Sequence, residues 1–298
     1  MKNIIMTTTL MFIYWSGFAQ QFNETIKKEL AFEKKSDNNA LMIANINGSI
    51  KVEGYDGDKI VVEVSKEIIA KTNERLEKGK NEIQLGVIDL ADTLILYVKG
   101  TCSDFGRRNQ QYHRDERTGK GWNYNWSGWG KDEDCKEEYQ YLMNFRVKVP
   151  YGINLAVSTI NDGDIDVKKV SGGLYADNIN GSIKLTQISG ATNVSSINGN
   201  IDLEYDLNPS LPCRYYALNG DINIHVKKGL GASVSFESFN GNLYTNLEAI
   251  EPLPVALEKK PKKDGVEYKI NGNRYKVGSG GVCLDIETFN GNVYLKEI

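Results

Sequence analysis

The chain has 298 residues, and its 36 Lys and Arg against 39 Asp and Glu give a formal net charge of −3. A composition that is 40% hydrophobic and 25% charged is typical of a folded protein and excludes an intrinsically disordered chain. The near-neutral charge provides no basic face for DNA or RNA, and two histidines are few for imidazole catalysis or zinc binding.

The N-terminus has the features of a signal peptide. Lys2 precedes a mostly apolar run from Ile4 to Trp15, and Gly17 and Ala19 place small residues at the −3 and −1 positions of a cleavage site. We therefore predict a signal peptide over residues 1–19 and export to the periplasm, the cell surface or the medium. A buried N-terminal strand is the alternative. No later apolar stretch reaches membrane length, so we expect no transmembrane segment in the mature chain.

The mature chain, residues 20–298, is predicted to be one elongated β-repeat domain with two insertions. Before the repeats become regular, strands are predicted at Ile60–Val64, Leu94–Val98 and Phe145–Val149, with a helical turn at Asn73–Lys80.

An insertion at about residues 101–141 contains every Trp of the mature chain. Flat aromatic faces stack on sugars and contribute strongly to protein interfaces, so this segment is the candidate ligand-binding site; the alternative is that its rings flank the core. The candidate ligand-binding residues are Trp122, Tyr124, Trp126 and Trp129. Cys102 and Cys135 bracket the segment and form the candidate disulfide, whereas Cys213 and Cys283 could pair or stay free.

A repeat built on Asn-Gly runs through the chain. Each copy has a small polar residue, an apolar residue, Asn, Gly, a polar residue and then alternating apolar positions. The copies lie at 45–52, 178–185, 196–203, 217–224, 238–245 and 288–295, with a seventh at 159–167 that carries the inserted Asp162. The glycines at 163, 181, 199, 220 and 241 are 18 to 21 residues apart. Weaker Ser-Gly corners lie between copies, so each unit is predicted to be strand, corner, strand, corner.

Two all-β architectures fit this unit. One is a β-solenoid, a β-helix-like stack of 18–21-residue coils, and the other is an antiparallel meander of hairpins. Apolar residues lie both one and four positions before each Asn, as at Ile197 and Val194. A bend between the two positions would point both inward, which favours the solenoid. Asn and Gly are expected to take the left-handed backbone at the corner and the asparagines to bond from coil to coil.

The C-terminal part departs from the repeat. A Pro- and Lys-rich loop insertion is predicted at about residues 250–266, followed by a local hairpin of Glu267–Ile270 and Arg274–Val277 before the last coil.

The order of these parts resembles a known family. The stretches NINGSIKVEGYDGDKIVVEV (45–64), VKVPYGINLAVSTINDGDIDVKKVSGGL (147–174) and GSGGVCLDIETFNGNVYL (278–295) carry the resemblance, together with the repeated Asn-Gly corners. They resemble the bacterial β-strand-repeat family labelled "putative adhesin", a domain of unknown function. The resemblance covers nearly all of the mature chain and implies a β-helix-like fold and an exported protein. The family brings no catalytic residues.

The acidic residues on the repeats allow an enzymatic alternative. Asp164, Asp166, Asp177, Asp202, Glu204 and Asp221 could form a polysaccharide-cleaving cluster, although alternation already predicts a solvated strand face. His113 and His225 have no Cys or His at metal-ligand spacing. We therefore predict no catalytic, metal or cofactor site. The predicted function is a non-enzymatic envelope protein, adhesive or structural, that binds a glycan or an envelope protein.

Overall fold

A computed structural model describes residues 19–100, 102, 104–107, 124–127, 138–254, 257–262, 265–270 and 273–298. The predicted signal peptide lies outside the described residues except for Ala19, and the first strand begins at Gln20.

These residues form 25 strands and one helix. The elements of the first half are β1 (Gln20–Leu30), β2 (Ala40–Ala44), β3 (Ile50–Tyr55), β4 (Ile60–Ala70), α1 (Asn73–Glu82), β5 (Gln84–Asp89), β6 (Thr93–Lys99), β7 (Asp104–Arg107), β8 (Tyr124–Ser127), β9 (Tyr139–Pro150), β10 (Asn154–Thr159), β11 (Ile165–Lys168) and β12 (Leu174–Asn180). Those of the second half are β13 (Ile183–Ile188), β14 (Thr192–Asn198), β15 (Ile201–Tyr205), β16 (Cys213–Asn219), β17 (Ile222–Val226), β18 (Ala232–Asn240), β19 (Leu243–Thr245), β20 (Ile250–Pro252), β21 (Leu257–Lys262), β22 (Gly265–Ile270), β23 (Asn273–Val277), β24 (Val282–Asn290) and β25 (Val293–Glu297).

Two large mixed sheets contain most of these strands, so the all-β prediction is confirmed. The ten-stranded sheet has the order β1-β4-β9-β3-β11-β13-β15-β17-β25-β19, and the eleven-stranded sheet has the order β20-β23-β18-β24-β16-β14-β12-β10-β2-β6-β5. Antiparallel pairs lie at the ends, as in β1–β4–β9, β5–β6 and β18–β23–β20. The pairs β7–β8 and β21–β22 each form a separate two-stranded sheet.

Each repeat contributes one strand to each large sheet. We call a strand of the eleven-stranded sheet, the Asn-Gly corner after it and the next strand of the ten-stranded sheet a rung. The seven rungs, in spatial order, are β2–β3, β10–β11, β12–β13, β14–β15, β16–β17, β24–β25 and β18–β19. Neighbouring rungs pair in parallel, with Ile183 beside Ile201 and Ile201 beside Ile222.

The core lies between the two sheets, where the inward residues of successive rungs stack. The alternating apolar residues after three of the Asn-Gly corners are each at most 1% exposed: Ile183, Leu185, Ile201, Leu203, Ile222 and Ile224. Strand alternation explains the pattern, because every second side chain of a strand faces the same side of its sheet.

The expected bend before the Asn-Gly corner is wrong for one of its two positions. Residues four before the Asn, such as Val194 and Ile286, are buried as expected. Residues one before it face outward in most rungs, and Ile179, Phe289 and Phe239 are 36%, 44% and 73% exposed, whereas Ile46 of the first rung is buried. The strands stay extended up to the Asn, so residues three apart lie on opposite faces.

Close approach of the backbones, more than a left-handed conformation, requires glycine at these corners. A Cβ on Gly199 would lie 2.2 Å from the carbonyl oxygen of Gly181, and one on Gly181 would lie 2.2 Å from that of Gly163. The expected left-handed backbone is wrong for most corners, since only Gly48, Gly220 and Gly291 have a φ between +20° and +160°. No corner Asn in the described ranges has a positive φ.

The corner asparagines form a hydrogen-bonded ladder, as expected. Each Nδ2 donates to the Oδ1 of the Asn in the preceding rung, over 2.9–3.3 Å. In spatial order the ladder consists of Asn47, Asn161, Asn180, Asn198, Asn219, Asn290 and Asn240.

Two further rows of side chains bind the corners together. The residue two before the Asn is buried in six of the seven rungs, and Thr159 and Asn178 donate from there to the carbonyls of Gly48 and Gly163 in the preceding rung. The polar residue after the Gly accepts from the next rung. For example, Asp164 Oδ1 accepts the backbone N–H of Ser182 over 2.8 Å. Buried backbone groups at the corners thereby obtain partners, which they need in the absence of water.

The C-terminal rung does not lie at the end of the stack. Strands β24–β25 insert between β16–β17 and β18–β19, although they follow both in sequence. The predicted local hairpin is wrong, because β22 pairs with β21 whereas β23 pairs with β18 and β20. The predicted loop at about 250–266 also contains β20 and β21. The partners of these strands are set by pairing between distant parts of the chain, and local turn residues do not predict such pairing.

A buried polar cluster interrupts the core between β15 and β16. The hydroxyl oxygens of Tyr205 and Tyr215 are 2.6 Å apart, and Tyr205 lies 3.6 Å from Cys213 Sγ. Both rings are fully buried, and burial raises the pKa of each phenol well above its usual value of 10.0. Each hydroxyl therefore has a hydrogen-bond partner inside an apolar core.

We predict that Gly199→Ala destabilises the protein by about 2–3 kcal/mol, because the added methyl overlaps the Gly181 carbonyl. Gly152→Ala is the matched control, since a Cβ there has no heavy atom within 4 Å, and we expect a change within about 0.5 kcal/mol. Urea unfolding followed by circular dichroism measures both. Equal free energies of unfolding for the two variants would contradict the close approach of the corners.

We also predict that the free energy of unfolding falls as the pH rises above 10. The folded-state pKa values of Tyr205 and Tyr215 are raised, so their stabilising effect is complete below pH 10 and is lost as the pH passes toward the folded-state values. The double variant Tyr205→Phe/Tyr215→Phe should lack this part of the pH dependence while staying close to wild-type stability at pH 7. Urea titrations at several pH values measure it, and identical alkaline slopes in both proteins would refute the assignment.

Candidate binding surfaces

The predicted aromatic insertion is described only in part. Strands β7 and β8 pair antiparallel, with Phe105 opposite Trp126 and Arg107 opposite Tyr124. Trp122 and Trp129 lie outside the described residues. Two of the four predicted ligand-binding residues are therefore placed on one strand of a hairpin, and a role for all four remains a prediction.

The base of this hairpin packs on the outer face of the eleven-stranded sheet. The ring of Phe105 is half-buried and stacks on Tyr97 of β6, with the ring centroids 5.0 Å apart and the planes 24° from parallel. It belongs to a second apolar cluster, separate from the core between the sheets. The buried members of that cluster are Met42, Ala44, Ile95 and Ala156. Phe105 thus fixes the start of the insertion to the outer face of the eleven-stranded sheet.

The cysteines divide into two groups. Cys102, which precedes β7, is disulfide-bonded, whereas Cys213 and Cys283 are free. Cys213 is buried and Cys283 is exposed, and the two lie on the neighbouring strands β16 and β24. Cys135 lies outside the described residues, so the Cys102–Cys135 pair remains a prediction.

The acidic residues of the repeats have structural partners in several places. Asp164 and Asp221 accept backbone N–H groups of the next rung at the corners, and Asp202 accepts from Asn223 over 2.7 Å. Asp177 lies on the other large sheet, where it accepts from Tyr175 and burial raises its pKa. Asp164, Asp202 and Asp221 thus bind neighbouring rungs together at separate places along the stack.

Only one of the two histidines lies within the residues that the structure describes. His225 lies on β17, beside Glu204 and Lys296 in register, and His113 is outside the described residues. Among the residues that the structure describes, no group of three or more His, Cys, Asp or Glu could hold a metal ion.

An aromatic surface that the sequence interpretation missed lies at the last two rungs. The rings of Phe239 and Phe289 stack with centroids 4.8 Å apart and planes 3° from parallel, and Tyr244 and Tyr294 stack at 5.3 Å. Phe239 is 73% exposed. The sequence does contain a sign of this surface, because only the copies at 238–245 and 288–295 have the pattern Phe-Asn-Gly-Asn-x-Tyr. Two copies with the same aromatic positions can stack their rings only if they are neighbours.

Within the described ranges, no helix is long and apolar enough to span a membrane.

Comparison with known proteins finds likeness in structure alone. No protein-family model matches the sequence, and no curated protein matches it. The fold is similar to a "putative cell adhesion protein" from Clostridium sporogenes, at 10% identity and a TM-score of 0.44, over 94% of this chain and 100% of that one. It is also similar to a "putative adhesin" from Bacteroides fragilis, at 12% identity and a TM-score of 0.33, over 92% of this chain and 97% of the other.

A third similar structure is a "putative lipid binding protein" from Parabacteroides distasonis. The identity is 10% and the TM-score 0.24, over 93% of this chain and 96% of that one. All three TM-scores lie below 0.5, so these likenesses carry no argument about what the present chain binds.

Proposed function

We propose that the mature chain, residues 20–298, is an exported, non-enzymatic binding protein of the cell envelope. Its rungs are the coils of a β-solenoid, with antiparallel strands at both ends, and they form one elongated domain. The parallel register of the rungs and the three rows of corner hydrogen bonds support the solenoid. The signal-peptide pattern of residues 1–19 supports export.

The anchoring of the aromatic insertion is the observation that carries the proposed function. Phe105 stacks on Tyr97 and so holds the base of the insertion against a rigid sheet. Loops fixed on a rigid scaffold are common binding sites, because little conformational entropy is lost when a ligand binds. The three Trp of the insertion supply flat faces for a sugar ring or a protein hot spot. The ligand is therefore a glycan or an envelope protein.

The triple variant Trp122→Ala/Trp126→Ala/Trp129→Ala tests this proposal. We expect it to lose binding in a glycan array and in a pull-down with envelope proteins, while its melting temperature stays within a few degrees of wild type. Exposed rings contribute to binding without supporting the core, which explains the expected separation.

One control variant tests the specificity of the binding loss, and a second tests the loss of the anchoring ring. Tyr151→Ala removes an aromatic ring that is 45% exposed and lies outside the insertion, so binding should be unchanged. Phe105→Ala removes the anchor and should lower stability by about 2–4 kcal/mol, because a packed ring is lost. A clearly lowered melting temperature of the triple variant would instead assign the Trp residues a structural role and contradict the proposal.

A further inference from the structure

The last rung, β18–β19, has one open side. β19 ends the ten-stranded sheet, and it pairs with β25 alone. β18 is covered by β23 only over Ala232–Phe236. Residues 237–245, which include the Asn-Gly corner, therefore face no further strand in the described part of the chain.

Each rung binds the next one through hydrogen-bonding groups at its Asn-Gly corner. In the C-terminal rung, Asn290 Oδ1 accepts the Nδ2 of Asn240, and Asn292 Oδ1 accepts the backbone N–H of Asn242. In the same rung the backbone N–H of Gly291 donates to the carbonyl of Asn240, and that of Val293 donates to Asn242. The side of the C-terminal rung that faces the last rung therefore offers two amide oxygens and two N–H donors.

The same four groups are unused on the last rung. They are the Oδ1 atoms of Asn240 and Asn242 and the backbone N–H groups of Gly241 and Leu243. None of them has a hydrogen-bond partner among the described residues. The last rung thus presents all the hydrogen-bonding groups that one more strand and its corner would need.

The side chains at this edge suit a strand of polypeptide and do not repel it. Glu237 is the one charged residue of the open segment 237–245, and residues 238–247, SFNGNLYTNL, contain no charged residue and no Pro, although natural edge strands are usually protected by either. Phe239 is 73% exposed and Tyr244 is 47% exposed, and each stacks on the ring of the rung before it. A further strand would continue both stacks.

We propose that the open side of the last rung binds an extended, uncharged strand of a partner protein, which adds in parallel to β19. The strand places an Asn side chain beside Asn240 and an apolar or aromatic side chain beside Phe239. In a second copy of this chain, the rungs other than β18–β19 are paired on both sides among the described residues, so none of them supplies such a strand. The interaction is strand addition, in which backbone hydrogen bonds give affinity and side-chain stacking gives specificity.

The probe for this proposal is a fluorescent synthetic peptide with the uncharged sequence of residues 238–247, SFNGNLYTNL, titrated with the purified mature chain. We expect saturable binding in fluorescence anisotropy and none with a scrambled peptide. Phe239→Lys should weaken the affinity at least tenfold, since it removes a ring and places a charge at the edge. Ile179→Lys is the matched control, because it places the same charge at the equivalent position of an internal rung, and it should bind as wild type does.

Cross-linking distinguishes a peptide that adds beyond the last rung from one that replaces it. A photoreactive ring at the Phe of the peptide should label residues 237–245 of the chain if the peptide adds beyond β19. Labelling next to Phe289 would mean that the peptide replaces β18–β19 and would overturn the proposal. So would equal binding of the scrambled peptide, an equal loss in Ile179→Lys, or a wild-type dimer in light scattering that Phe239→Lys dissociates. None of these outcomes bears on the Trp residues of the insertion, so the two proposals fail independently.

Discussion

The distance between successive Asn-Gly corners is the constraint on which the rest of the structure depends. The backbones come so close there that a Cβ on Gly163, Gly181 or Gly199 would lie 2.2 Å from the glycine carbonyl of the preceding rung. At that separation a side chain at the neighbouring positions can reach its counterpart directly. The close approach that glycine permits also explains the other recurring residues of the corner. The Asn, the buried small polar residue before the Asn and the polar residue after the Gly each form a hydrogen bond to a neighbouring rung, which is possible only at this short distance.

This corner also determines what the molecule can present to a partner. Rungs that are fixed in register by side-chain ladders form a rigid support, and the insertion is held against it through Phe105 and Tyr97. The same ladders end abruptly at Asn240 and Asn242, where their acceptors have no partner within the described ranges. The side-chain ladders thus make the sheet that supports the aromatic insertion rigid, and they leave unpaired hydrogen-bonding groups on the last rung. Neither surface requires a catalytic residue.

The sequence was sufficient to predict the repeat, the alternating core and the Asn ladder, because these depend on local periodicity. It did not predict the outward direction of Ile179 and Phe239, since the pattern alone does not show whether a strand bends before its corner. The position of β24–β25 between two earlier rungs depends on pairing across the chain, as in the contact of Asn219 with Asn290. The repeated pattern Phe-Asn-Gly-Asn-x-Tyr could have indicated that these two copies are neighbours. The open edge follows only once that order is known.

Hydrogen bonds between corner side chains hold neighbouring rungs together. A double-mutant cycle on Asn198→Ala and Asn219→Ala tests this interaction most directly, because these two amides are bonded over 3.0 Å in adjacent rungs. Urea unfolding of the wild type, both single variants and the double variant gives the coupling free energy. We predict a favourable coupling of about 0.5–1.5 kcal/mol, the usual net value of one hydrogen bond. Strictly additive single effects, with no coupling, would contradict the ladder as the interaction that joins the rungs.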